Sequence, residues 1–297
     1  MFEFEYLNLP LQEKINNPNK YLPPEVCDEL PQFITALRQG KISKADFQSG
    51  DLANKGIFKI STNTFDLYYT PGSSLKKIKI IDIKPKSLNL FRERFSISVS
   101  WDDKEVLQCI PQYDVPEKII QAIELINQGI DDSYSLGREL GHKGKRKEYI
   151  VRHGNYAKTA LSELGLIDRI QEGKALRAHV TLKGKLIAEA DNSDTKKRLL
   201  IEIMLNYPPI WLIMGKVTEG EQELTDGLIL ETVFPLEVRD ADTSFRRAKT
   251  LRRWIKWISD YSGIPIYFKG QGLQLTIPML YAKEDPGLGT LISEDLH

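Results

Sequence analysis

Cysteine is scarce in this sequence: Cys27 and Cys109 are the only two in 297 residues, and neither stands in metal-ligand spacing. That scarcity excludes a zinc ribbon and a disulfide scaffold, and it fits a reducing compartment. Histidine is little used as well. His142, His153, His179 and His297 do not support a histidine-based catalytic centre. Net charge is absent, 41 Lys and Arg balancing 41 Asp and Glu, so a uniformly basic nucleic-acid binder is excluded and any such binding must come from local patches. No apolar run reaches the length of a membrane span, and MFEFEYLNLP lacks the charged-then-apolar order of a secretory leader. A soluble cytoplasmic protein without a membrane partner is expected. P-loop, strand-borne GxGxxG, HExxH and GxSxG motifs are also missing, which leaves nucleotide, dinucleotide, zinc-protease and serine-hydrolase chemistry without a motif.

What is present is an ordinary globular composition, 41% hydrophobic, long enough for one large core or two to three small ones. The pattern predicts an α+β chain: an N-terminal β-rich domain over 1–112, two winged-helix (helix-turn-helix) domains over 113–192 and 193–282, and a tail over 283–297. Pro23 and Pro24 precede a short helix expected from Glu25 to Gln39. From Gly56 onward, GIFKIS, TFDLYYT, KKIKIIDIK, RFSISVSW and EVLQCI alternate with turn formers such as Pro71-Gly72-Ser73-Ser74, as an antiparallel meander or small mixed sheet would.

After Val115 the pattern becomes helix, helix, helix, wing. Pro116–Gln128 buries Ile119, Ile120, Ile123 and Ile126 on one stripe, Tyr134–Leu140 follows, and the basic run GHKGKRK leads into Arg152–Leu164. Gly165 sits at a C-cap position, and LIDRI and RAHVTL are strand-like. The second domain is expected to repeat the plan: a helix over Thr195–Asn206, the apolar run IWLIM, a helix near Asp226–Phe234, a basic helix, and IPIYF with LQLTI as its wing. That basic helix, Thr243–Tyr261, has two dressed sides. Ala248, Leu251, Ile255 and Ile258 share one stripe, Arg246, Lys249, Arg253 and Lys256 the opposite one, and no acid interrupts Ser244–Trp257. A phosphate-facing helix is the reading that follows; Trp254, Trp257 and Tyr261 read as packing.

The segments NYAKTALSELGLIDRI, VTLKGKLIAEA and DTKKRLLIEIMLNYPPIWLIM resemble the first winged-helix subdomain, and the entry to the second, in the DNA-recognition region of type IIS restriction endonucleases typified by FokI. TSFRRAKTLRRWIKWI resembles a pattern in winged-helix parts of related restriction and defence proteins. The likeness runs from about Val115 to Ile264. It implies sequence-specific recognition of double-stranded DNA in a restriction-modification system or related defence, with base readers at the start of the third helix. A recognition helix reads with its first residues, which here are Arg152, His153 and Asn155, and Arg and Asn can each make paired contacts to one base. Lys143, Lys145, Arg146 and Lys147 suit phosphate, and Lys158 joins the DNA-binding set. In the second domain the expected readers are Ser244, Arg246 and Arg247, with Lys249, Arg253 and Lys256 on phosphate. Those enzymes carry their nuclease after the recognition subdomains, whereas this chain ends soon after the second one. Cleavage is therefore expected in the N-terminal part, in a separate nuclease or other subunit, or nowhere.

One N-terminal pattern bears on that choice. Asp82 and Lys84 leave the same face of IIDIKPK, and with Asp66 they resemble the PD-(D/E)XK nuclease motif, in which two carboxylates hold Mg2+ and the lysine polarises the attacking water. Asp66 and Asp82 would be the metal ligands and all three residues catalytic. Phe65 replaces the motif's proline, and the fold asks for a helix after Lys84 where strand is expected beyond Phe95. Alternating charges on a half-exposed strand explain the same residues. A third reading makes the winged helices a protein-interaction module.

Overall fold

A computed structural model describes residues 2–41, 46–47, 56–74, 76–98, 110–143, 146–172, 175–218, 223–233 and 241–266. Lys145, Cys109, the second expected wing beyond Ile266 and the tail lie outside the described residues. The chain is α+β, and it divides into two compact units: Met1–Arg94 with Ser259–Ile266, and Phe95–Ile258. Residues 113–192 and 193–258, expected as separate domains, fall in the same unit.

The first unit holds a five-stranded sheet ordered β1-β5-β4-β3-β2. β1 (Glu3–Tyr6) runs parallel to β5 (Lys77–Pro85), while β2 (Asp46–Phe47), β3 (Phe58–Ser61), β4 (Phe65–Pro71) and β5 form an antiparallel meander. The expected mixed sheet is therefore present, with β1 an addition that its short run of four residues did not advertise. Gly72 closes the β4–β5 turn because a Cβ there would stand 2.6 Å from the Cβ of Lys77. Helices α1 (Leu9–Asn16), α2 (Pro18–Tyr21) and α3 (Pro24–Arg38) lie between β1 and β2 in sequence. α3 aligns Val26, Leu30, Ile34 and Leu37 on one buried stripe, and Phe33 meets Phe65 edge-on at 5.2 Å. Phe65, Leu67, Ile80 and Ile83 complete the core with Leu90 and Phe91 of α4 (Ser87–Arg94). That helix corrects an expectation: strand was anticipated around RFSISVSW, yet Ser96–Ser98 are irregular and a helix does follow Lys84.

The second unit opens with α5 (Pro116–Asn127), α6 (Ser133–Glu139) and α7 (Lys147–Glu163), then the antiparallel hairpin β6 (Ile167–Glu172) and β7 (Ala175–Val180). The isoleucine stripe of α5 is buried as its spacing predicts. Asp132 caps α6 by accepting from the amides of Tyr134 and Ser135. Gly165 adopts a φ of 67° at the end of α7, where the Leu166 amide returns to the Leu161 carbonyl at 2.8 Å. Immediately after β7 the structure departs from expectation. Leu182–Ala188, expected within the wing, is a helix (α8), capped by the Thr181 hydroxyl on the Gly184 amide.

Four helices follow: α9 (Ser193–Leu205), α10 (Pro208–Thr218), α11 (Asp226–Val233) and α12 (Ala241–Ser262). IWLIM is thus helical, because Pro208 and Pro209 stop α9 and occupy the first turn of α10, where a missing amide costs nothing. Gly263–Ile266 form no strand. α9 packs on α5 and α8, and Lys196 of α9 pairs with Glu124 of α5 at 2.5 Å, which joins the two halves of this unit.

Candidate nucleic-acid interface

α7 owes its position to two glycines. A Cβ on Gly154 would stand 2.0 Å from the Ser133 carbonyl oxygen, and one on Gly137 of α6 would stand 2.2 Å from that of Ile150. Each helix thus meets the other's backbone at a residue with no side chain. Glycine inside a helix costs up to about 1 kcal/mol relative to alanine, so two of them in facing helices signal close approach. Ile150, Ala157 and Leu161 point inward from α7. The hairpin is tied to the helix by Arg169, which donates to the Thr159 hydroxyl at 2.7 Å, and to the loop before α6 by Arg177, paired with Asp131 at 2.9 Å.

The opposite side of α7 is open, as are Lys143 and Arg146 before it. Lys143, Arg146, Lys147 and Arg152 are exposed, with Glu148 the acid among them. The Lys147 ammonium also lies 5.4 Å from the ring of Tyr134. Asn155 is exposed, although its side-chain oxygen already accepts from the Ser133 hydroxyl at 2.6 Å. His153 is not a free groove contact: its ring stacks on His142, centroids 3.9 Å apart. Lys158, expected as a DNA contact, is a buried residue. It is 7% exposed, and burial pushes its ammonium below the ordinary lysine range while Asp131 and Asp132 pull it back.

α12 buries Ala248, Leu251, Ile255 and Ile258 completely and exposes Arg246, Lys249, Arg253 and Lys256, as the two-sided pattern predicts. Its cations, however, are largely engaged by their own protein. Arg253 pairs with Asp114, Arg252 lies 3.3 Å from Asp226 of α11, and the Lys249 ammonium sits 4.8 Å from the ring of Phe245. Ser244 is buried, and two guanidinium nitrogens of the half-buried Arg247 have no hydrogen-bond partner among the described residues. Trp254 is fully buried and donates to the Tyr113 carbonyl at 3.0 Å; Trp257 donates to Glu117 at 2.6 Å. α12 grips the start of α5.

The nuclease-like residues of the first unit share one sheet region. Asp66 faces Lys84 across β4 and β5, and Asp82 faces Tyr68 one step further along. Each carboxylate already has donors. Asp66 accepts from the Ser61 hydroxyl at 2.7 Å with the Lys86 ammonium 3.4 Å away. Asp82 accepts from the Ile83 amide, and the buried ammonium of Lys14, bonded to the Ile83 carbonyl, feels its charge. A lysine thus stands near each carboxylate, and among the described residues no group of three metal-ligating side chains gathers.

Gly137, Gly154, Lys118, Tyr149 and His142 were not singled out from the sequence. The helix-interior glycines and the spacing of Tyr149, His153 and Tyr156 were the available signals. Comparison with known proteins adds one finding: residues 142–262, from the loop before α7 to the end of α12, match a domain of unknown function, DUF7226. No curated protein and no solved structure matches the chain. Among the described residues no helix is long and apolar enough to cross a membrane.

Proposed function

We propose that the second unit recognises double-stranded DNA, with α5, α6 and α7 and the β6–β7 hairpin acting as a winged helix whose third helix enters the major groove. The observation that carries this reading is the exposed cationic row of Lys143, Arg146, Lys147 and Arg152 at the start of α7. Lys143, Arg146 and Lys147 meet phosphate, while Arg152 and Asn155 face base edges. α12 is a brace in this scheme and not a second reader. The likeness of this stretch to type IIS recognition regions supports a role in restriction or related defence, with any cleavage supplied by another subunit.

Fluorescence anisotropy of the whole chain with a labelled duplex, repeated across salt concentrations, tests the reading. Affinity should fall linearly on a log–log plot, and Lys147→Ala should lower that slope by about 0.9 if it removes one phosphate contact. Failure to bind any duplex at low salt overturns it and leaves the protein-interaction reading in place.

A further inference from the structure

Groove reading leaves part of α7 unused. Tyr149, His153 and Tyr156 succeed one another at i, i+4 and i+7, so they occupy one flank of the helix. His142, in the preceding loop, lies almost flat on His153, the planes 13° apart. Tyr149 stands at 63° to His153 with centroids 4.4 Å apart, and Tyr156 meets the same ring edge-on at 5.9 Å. Tyr149 is 48% exposed.

Two chemistries that a histidine pair suggests do not fit. Parallel imidazoles direct their in-plane lone pairs side by side and cannot converge on one metal ion, and among the described residues no third ligand joins them. A proton relay at neutral pH does not fit either. Burial first, then the charges of His153 and Lys118, hold His142 down to about 4, and burial followed by Arg152 and Lys118 lowers His153. Both rings are therefore neutral at that pH, and they feel the charges of Lys118 and Arg152. Stacking surface beside cations is what single-stranded nucleic-acid sites use. Tyrosine and neutral imidazole offer no paired fork for a base edge in a groove. What they offer is a π-face, and only a base that has left its own stack can take it.

We propose that the His142–His153–Tyr149–Tyr156 cluster is a stacking site for an unpaired nucleotide, so that the second unit prefers DNA with a locally opened strand to perfect duplex. The inference rests on the DNA reading above. It is tested by anisotropy at neutral pH and fixed salt with a perfect duplex, the same duplex carrying a short central bubble, and the corresponding DNA and RNA single strands. The bubble should bind about tenfold more tightly than the perfect duplex, the worth of one stacked base. Tyr149→Ala should erase that advantage while leaving perfect-duplex affinity and the far-ultraviolet circular dichroism unchanged, and Tyr149→Phe should keep it. An RNA strand bound as well as its DNA counterpart assigns the site to unpaired bases of either sugar; a DNA strand bound better confines it to DNA. Equal affinity for bubble and perfect duplex, or an advantage that survives Tyr149→Ala, overturns the inference and leaves the DNA reading standing. Binding to no probe sinks both.

Discussion

α7 and α12 are both long amphipathic helices with a cationic outer side, and they differ in what their cations face. On α12, Arg253 and Arg252 answer Asp114 and Asp226, and two nitrogens of Arg247 are buried. At the start of α7, Lys143, Arg146, Lys147 and Arg152 are exposed and, among the described residues, pair with no carboxylate. A basic stripe is therefore not a binding surface until the acids brought to it by the fold have been counted. Exposed pairs contribute only about 0–1 kcal/mol each, so α12 gains modest stability from arginines that resemble phosphate ligands in sequence. Its firmer hold is apolar, through Trp254 and the isoleucines.

That contrast can be broken or sharpened experimentally. The largest effect is expected at the base of α7, where Gly154→Ala forces a Cβ against the Ser133 carbonyl and should cost on the order of 3 kcal/mol. A thermal melt should drop by about 10 °C for a unit of this size. Gly215→Ala in α10, where the added Cβ meets nothing within 4 Å, should hold or raise the melting temperature. Next comes charge: Lys147→Ala with Arg152→Ala should weaken duplex binding by about tenfold or more and flatten its salt dependence. Arg253→Ala should leave both unchanged and lower stability by no more than about 1 kcal/mol. If Arg253→Ala weakens DNA binding as much as the α7 pair does, the distinction between the two helices fails.

A smaller effect concerns pH. His142 is held at about 4 in the fold against an ordinary 6.5, so the unfolded chain binds the extra proton between those values. Stability should be complete above pH 6.5 and decline as pH falls toward 4. Melts at both ends of that window should show the loss, and His142→Gln should shrink it. No effect at all is expected from Mg2+. Supercoiled plasmid incubated with the protein should stay intact, and cleavage abolished by Asp82→Ala would favour the nuclease reading over this one.

Much of this was legible in one dimension. The extents of α3, α5, α9 and α12, the meander and the Gly165 stop followed from spacing and caps, because those depend on neighbours within a turn or two. The failures were long-range. Arg253 and Asp114 lie 139 positions apart, beyond any i,i+4 test. Lys158 looked like a surface cation until the fold covered it. The segment VTLKGKLIAEA gave no helix in the reading of its residues, whereas Gly184 is helical and bare because a Cβ would sit 2.2 Å from the Leu166 carbonyl. The aromatic flank of α7 was visible in its spacing, but His142 comes from outside the helix, and only folding lays it on His153.

The paired glycines at the α6–α7 crossing carry one last consequence. With backbone seated on backbone at Gly137 and Gly154, the pose of α7 is decided by main-chain atoms and by two positions that carry no Cβ. Position 152, exposed and outside that crossing, is then a fitting on a fixed handle. Under the proposed DNA reading, changing what α7 contacts would call for a new side chain there and no redesign of the grip.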